Sequence, residues 1–282
     1  MAEVSRALNI VGCGRVGRTL ARLWHESACF EIGDVLSPRS AAAAVDFIGG
    51  GRAVDSMQGL RTADVWMIAT PDAAIEAAAC EIALQNHAPA TVFHCSGFHS
   101  STLLRALIDR GWHAASVHPA MSFADPASAL AQFAGTPCGI EGDAAAEVLL
   151  RQAFEEIGAR CFDLSPQQKP LYHAAAVFSS NFVPVLQAIA IELWRSTEVP
   201  ASLHADLTQA LLEKAARNVV CMGPANALTG PAARGDQAVV REQFAALEAW
   251  NPSIAAAYRQ LSELASQLAK QGDLKPQVPQ SS

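Results

Sequence analysis

The chain has no C-x-x-C pair, no cationic excess and no internal repeat, and each absence removes a class of protein. Its seven cysteines are scattered, and an odd number without close spacing makes a poor disulfide framework. Dispersed thiols suit a reducing compartment, so a cytoplasmic location is expected. His94, Cys95 and His99 lie close together, but a strand aims the first two at opposite faces, so no metal site is expected. Lys and Arg number 20 against 27 Asp and Glu, giving a net charge of −7. That balance argues against nucleic acid or an anionic membrane as the main partner. The longest apolar runs read as broken well short of the ~20 residues of a membrane span. The opening MAEVSRALNI has no basic region followed by a long apolar one, which predicts no secretory leader. What the 282 residues do have is a 51% hydrophobic composition, enough for one large core or two moderate ones.

The rest is organised around residues 8–17, LNIVGCGRVG. An apolar run stops at Gly12, and Gly12, Gly14 and Gly17 form G-x-G-x-x-G ahead of a helical pattern at Leu20, Ala21, Leu23 and Trp24. Strand, tight turn and helix make the context of dinucleotide binding, with Gly12, Cys13, Gly14, Arg15, Val16 and Gly17 as the expected phosphate turn. The helix N-terminus supplies free N–H groups and the positive end of a dipole. Phe30–Leu36 reads as the second strand. Asp34 is the nearest acid for a ribose hydroxyl, yet it lies two residues inside that strand. Ser37, Arg39 and Ser40 occupy the loop itself and suit a 2′-phosphate, which favours NADP while leaving NAD possible. Alternatively this is an ordinary turn in which Ser40 caps a helix over 41–45.

Further strands are expected over 65–69, 91–95, 114–117, 138–141 and 160–164, with helices over 73–85, 101–109 and 144–157. Such alternation predicts a doubly wound, mostly parallel α/β sheet. Parallel strands deliver their C-terminal ends to a ligand crevice, so Thr70, Pro71, Ser96 and Gly97 should border the cofactor. Asp72 is then either a site neighbour or a helix-start carboxylate. His118 stands at a strand end, as suited to the site as to a structural role.

At Ser165-Pro166 the pattern changes to long Ala- and Leu-rich helices, which places the domain boundary at 165/166 and a helical domain over 166–270. Residues 271–282 are expected to be a disordered tail. At 100° per residue, Lys169, His173 and Ser180 share one stripe of the helix after Pro166, with Asn181 at its edge. Pro184 cannot donate to the carbonyl of Ser180, so a bend is expected there. The stripe predicts a cleft wall in which Lys169 gives a proton and His173 orients substrate or shares that proton, with Ser96 and His118 as further catalytic candidates that hold the substrate. Singly, Lys169 could instead be solvated and His173 a satisfied core residue. Residues 226–236 (NALTGPAARGD) bring Thr229, Gly230 and Arg234 together, either to bind a substrate carboxylate, to cap the next helix through Asp236, or to meet a partner subunit. Apolar surface on these helices predicts a homodimer through the helical domain.

On VGCGRVG, HCSG, SVHPAMSF, KPLYHAAAVFSSN and NALTGPAARGD, the chain resembles bacterial Rossmann-like proteins whose C-terminal half is known only as a domain of unknown function. That group resembles the superfamily of pyrroline-5-carboxylate reductase, ketopantoate reductase and the β-hydroxyacid dehydrogenases. The resemblance implies NAD(P) binding, an all-helical C-terminal domain of the 6-phosphogluconate-dehydrogenase-like kind and dimerisation through it. It also aligns Lys169 with a catalytic lysine, and Ser96-Gly97 with a Ser-Gly used near substrate carboxylates; where that lysine is followed four residues later by Asn, this chain has His173. The expected function is an NADP-dependent oxidoreductase acting on a small carbonyl or hydroxy metabolite. The alternatives are a pyrroline-5-carboxylate-reductase-like imine reductase and a non-catalytic dinucleotide sensor acting through its dimer surface.

Overall fold

The computed structural model describes residues 6–38 and 40–276. The chain divides into two compact units, Met1–Asn181 and Phe182–Ser282. The first holds one eight-stranded sheet whose strands are Arg6–Val11 (β1), Phe30–Leu36 (β2), Arg52–Val54 (β3), Val65–Ile68 (β4), Thr91–His94 (β5), His113–Pro119 (β6), Pro137–Gly142 (β7) and Arg160–Asp163 (β8). Their order is β3-β2-β1-β4-β5-β6-β7-β8. Strands β1 to β6 are mutually parallel, β7 runs antiparallel to β6, and β8 is parallel to β7. The doubly wound, mostly parallel sheet is therefore as the alternation predicted. The direction in which successive strands are added to the sheet reverses between β1 and β4, the switch point outside which such sheets open a ligand crevice.

Alternate residues of each central strand enter two different cores. Val65 and Met67 of β4 pack on one face with Leu8, Ile10, Trp24, Phe93 and Phe154. Trp66 and Ile68 pack on the other with Val11, Leu36, Ile75, Ile82 and Trp112. Both faces are covered, which is why these strands read as continuous apolar runs. On the first face, Trp24 meets Phe30, Phe93 and Phe154 edge-on, and its indole N–H donates to the Ala153 carbonyl at 2.8 Å. The helices covering the sheet are Arg15–Glu26 (α1), Ala41–Ile48 (α2), Asp72–Leu84 (α3), Arg105–Ile108 (α4), Pro126–Gln132 (α5) and Ala144–Glu156 (α6).

Three local differences from the sequence pattern have simple causes. The segment expected as one helix over 101–109 is a 3-10 turn, Ser101–Leu104, followed by α4, because Ser101 is pulled aside to donate to Glu141. The short strand β3 follows Gly49, Gly50 and Gly51 and is too brief to show a period. Helix α5 goes unannounced by periodicity, but Asp125 caps it by accepting from the Ser128 N–H, with Pro126 in the first turn.

After β8 the chain enters Lys169–Ala176 (α7), followed by a π-helical turn, Val177–Asn181, that still belongs to the first unit. The second unit is helical throughout its described residues: Phe182–Arg195 (α8), His204–Met222 (α9), Pro224–Ala227 (α10), Pro231–Arg234 (α11), Gln237–Trp250 (α12) and Pro252–Gln271 (α13). Gly272 ends α13 in the left-handed conformation, and residues 277–282 of the expected tail lie outside the described residues. The expectation that every apolar run is short needs one correction. The helical stretch Pro166–Arg195 is long and apolar enough to cross a membrane by length and composition, with mean hydropathy 1.7 over an 18-residue window of it. One such helix is weak grounds for a span, and its first turn is anchored in the first unit by the wholly buried Lys169.

Candidate functional site

The glycine turn has the shape its spacing implies. Gly12 sits at φ +83°, and a Cβ there would lie 2.7 Å from the Thr70 methyl and 2.8 Å from its backbone N. A Cβ on Gly17 would meet Ala69 and the Gly12 carbonyl at 3.0 Å. At Gly14 the outcome is opposite: a Cβ would find nothing within 4 Å. Gly14 is the N-cap of α1 and offers no side chain to bond the first N–H groups of that helix. Gly12 and Gly17 thus serve close packing, whereas Gly14 faces open space at a helix N-terminus, where a pyrophosphate fits. Thr70 borders this cradle with a buried hydroxyl oxygen that lacks a partner. Pro71 is exposed beside it. Arg15 is exposed and Val16 half-buried, while the Cys13 side chain turns into the core, where burial pushes its thiol up to about 11. Cys13 can offer a cofactor only its backbone. These residues fit a nicotinamide dinucleotide.

At the end of β2, the Ser37 and Ser40 hydroxyls lie 3.0 Å apart. Ser40 makes no capping bond to α2, contrary to the alternative expectation. Arg39 lies outside the described residues. Asp34 is wholly buried and taken up by protein: it pairs with Arg52 and Arg61, each at 2.8 Å, and accepts from the Arg61 N–H. Burial alone would raise its carboxyl, but the hydrogen bonds from Arg52 and Arg61 outweigh that and hold it well below the usual carboxylate range. A register shift between β1 and β2 admits this arrangement, and Asn9 fills it by accepting from the Asp34 N–H and donating to the Arg61 carbonyl.

The C-terminal ends of β5 and β6 build the second half of the site. A cavity of about 500 Å³ is lined by Val16 from the glycine turn, by Cys95, by His118 with Met121 and Phe123, and by Tyr172, His173, Ser180 and Asn181. His118 and His173 cross edge to face with ring centroids 5.9 Å apart. Their nitrogens converge over Gly97: a Cβ on that glycine would stand 2.6 Å from His173 Nδ1 and 2.8 Å from His118 Nε2. The other nitrogen of His118 bonds the Tyr172 hydroxyl at 2.9 Å. Burial, with His173 and Lys169 nearby, holds the His118 pKa down to about 4, so its ring is neutral at pH 7. His173 Nδ1 is buried and has no partner among the described residues. The Cys95 thiol is pushed up to about 12 by burial and stays protonated.

Two expected catalytic groups are placed differently. Lys169 is neither solvated nor in the cavity. It is wholly buried, and its Nζ donates to the Ser96 carbonyl at 3.0 Å and the Ser116 hydroxyl at 2.7 Å, with Glu141 at 4.0 Å. Desolvation lowers its pKa to about 8. Ser96 is equally engaged: its hydroxyl donates to Asp72 and accepts from the N–H groups of Phe98 and His99. Asp72 is thus a partner of Ser96 at the start of α3. Lys169 and Ser96 hold the 96–99 turn beneath the histidines and do not reach into the cavity. Ser180 keeps its place on the cavity wall, where its hydroxyl donates within the helix to the Ala176 carbonyl. A π-helical turn, Val177–Asn181, stands just before Pro184, where a bend was expected. Thr229, Gly230 and Arg234 belong to the second unit; there Arg234 pairs with Asp236 at 2.9 Å, and Asp236 makes no side-chain cap to α12. Sequence reasoning missed Tyr172, Ser116 and Glu141. Tyr172 precedes His173 directly, so an aromatic hydroxyl beside a candidate histidine was the available signal. Among the described residues no cluster could hold a metal ion.

A domain described as a domain of unknown function, DUF2520, matches residues 136–265. No curated protein matches the chain. Among solved structures, a Bacteroides fragilis protein provisionally described as an NADP oxidoreductase aligns with TM-score 0.78 and 22% identity, covering 93% of this chain and 98% of its own. A Thermotoga maritima protein named without an activity aligns with TM-score 0.74 and 28% identity, covering 94% and 99%. The pyrroline carboxylate reductase of Plasmodium falciparum, with NADP bound, aligns with TM-score 0.58 and 12% identity, covering 94% and 98%. The chain thus has the Rossmann-like α/β fold with a helical C-terminal region, and its residues 136–265 match the DUF2520 domain.

Proposed function

We propose that the protein is an NADP-dependent oxidoreductase acting on a small carbonyl or hydroxy compound. The observation that carries this reading is adjacency: Val16, in the turn whose Gly14 faces open space, also lines the cavity on which His118 and His173 converge. The Plasmodium falciparum relative, which holds NADP on the same fold, supports it. NADP is preferred because Asp34, the acid that would favour NAD, is consumed by Arg52 and Arg61, leaving the hydroxyls of Ser37 and Ser40 at the end of β2.

A bound nicotinamide cofactor supplies or accepts the hydride. The protein's own part begins with the backbone of residues 12–17, which binds the phosphates. His118 Nε2 and His173 Nδ1 hold the reacting oxygen. When a carbonyl is reduced, hydride bonds to carbon, the π pair moves to oxygen, and that oxygen takes a proton. Tyr172 donates to His118 Nδ1, leaving the ring proton on Nε2; as that proton passes to the oxygen, the Tyr172 proton moves to Nδ1, and the phenol is then reprotonated from water. Such general acid catalysis contributes about 10²–10⁴-fold. Imine reduction is the second reading, favoured by the neutrality of His118, because an iminium substrate brings its own proton and needs only acceptors.

The test is NADPH and NADH binding by fluorescence, followed by NADPH oxidation with small carbonyl and imine compounds, both uncharged and carboxylate-bearing. Tight NADPH binding with turnover of any member supports the reading. Binding without turnover of any member points to a dinucleotide sensor, and no binding removes both.

A further inference from the structure

We infer that the cavity beside the glycine turn takes a carbonyl or imine compound that bears no carboxylate. This rests on the oxidoreductase reading of the same cavity. It starts from what lines the walls: apolar groups from Val16, Met121, Phe123 and Val177, and neutral polar groups at the two histidines, Tyr172 and the π turn. Among the described lining residues there is no Arg, Lys, Asp or Glu.

The charged groups nearest the histidines are already matched. Lys169 has its Nζ on Ser96 and Ser116 with Glu141 at 4.0 Å, and Glu141 in turn accepts from both the N–H and the hydroxyl of Ser101. Asp72 is bonded by Ser96. Neither charge lines the cavity: Lys169 is wholly buried with its Nζ on protein groups, and the Asp72 carboxylate accepts from Ser96. His118 adds no charge at neutral pH, because burial keeps its ring neutral. A carboxylate drawn in here would lose water and gain no cation, which is unfavourable for an ion and tolerable for a neutral group.

The histidines set what is accepted instead. From the point where a Gly97 Cβ would stand, His173 Nδ1 lies 2.6 Å and His118 Nε2 2.8 Å away, so the two nitrogens are no farther apart than the sum of those distances. One oxygen or nitrogen at ordinary hydrogen-bond length can bridge them. The unpartnered His173 Nδ1 gains its missing partner when it does. The apolar wall then meets the arm of the compound, as in most small-molecule pockets.

The experiment uses the full-length protein with saturating NADPH and two matched probe pairs, butanal against succinic semialdehyde and 1-pyrroline against 1-pyrroline-5-carboxylate. The expected result is that the uncharged member of each pair has the higher kcat/KM, by about tenfold or more, equivalent to about 1.4 kcal/mol. Equal rates within a pair, or preference for the carboxylate member, overturn the inference while leaving the oxidoreductase reading intact. Absence of NADPH binding overturns that reading instead. If neither member of a pair turns over, ligand-observed NMR decides, and failure of the uncharged members to bind also overturns the inference. As a second arm, Ser180→Arg places a cation on an exposed position of the wall and should shift preference toward the carboxylate members by about ten- to a hundredfold, the worth of a charge-assisted hydrogen bond. An unchanged preference in a folded Ser180→Arg protein counts against the inference.

Discussion

Gly12→Ala and Gly14→Ala add the same methyl group two residues apart and should have opposite consequences. At Gly12 the new Cβ would lie within 2.9 Å of three atoms of residues 69 and 70, two of them backbone, at φ +83°. Left-handed backbone costs an L-residue about 1–2 kcal/mol, and overpacking against atoms that cannot rotate away adds about 1–3 kcal/mol. A loss of about 3 kcal/mol in a unit of this size lowers Tm by roughly 6–12 °C. At Gly14 the Cβ meets nothing and the backbone is extended at φ −71°, so stability should stay within about 0.5 kcal/mol. The same methyl nevertheless occupies the space assigned to the pyrophosphate, and NADPH affinity should fall about ten- to a hundredfold, or about 1.4–2.8 kcal/mol. Thermal unfolding without ligand and NADPH titration measure the two effects separately. If Gly14→Ala keeps both its Tm and its NADPH affinity, the open face is not the phosphate seat. If Gly12→Ala unfolds at the wild-type temperature, the close approach to Thr70 is not real.

Lys169→Met removes the cation from a buried set and leaves Glu141 without it, so it should destabilise by about 3–5 kcal/mol, seen in chemical unfolding; unchanged stability with turnover abolished would instead make Lys169 a group that reaches substrate. The His94 and His118 rings have pKa values of about 4 in the fold against an ordinary 6.5, mainly through burial. The unfolded chain therefore binds more protons between those values, so stability should be full above about pH 6.5 and decline toward pH 4, by about 3 kcal/mol for the fully buried His94. Urea midpoints that hold steady across that window would refute it, and Asp34, held far below the usual carboxylate range, does not titrate there to confuse the result. We also expect a homodimer through the helical unit, where Leu211, Val219, Val220 and Met222 of α9 are exposed; a monomer by light scattering at micromolar concentration removes that expectation.

The glycine turn was legible because everything that defines it is local. A strand that stops, three spaced glycines and a helical period occupy residues 8–24, and the roles of Gly12 and Gly14 differ in backbone φ and in what stands opposite them. Asp34 was half legible. Its position inside the strand already separated it from the ribose, but its partners Arg52 and Arg61 reach it from the next strand and the loop beyond, which spacing does not reveal. The helical stripe shows where local reasoning stops. Counting 100° per residue put Lys169, His173 and Ser180 on one face, yet the π turn at 177–181 changes that phase before Ser180, and the three side chains end in three environments. A polar residue on an apolar helix announces that something polar faces it. Whether that is a ligand or the protein depends on groups distant in the chain: Ser116 and Glu141 for Lys169, an open cavity and Gly97 for His173. Lys169 found its partners within the fold and became part of the support. His173 kept an unmet hydrogen bond on a ring that lines the cavity, and that difference, invisible in KPLYH, is what separates the residue that holds the site from the one proposed to act in it.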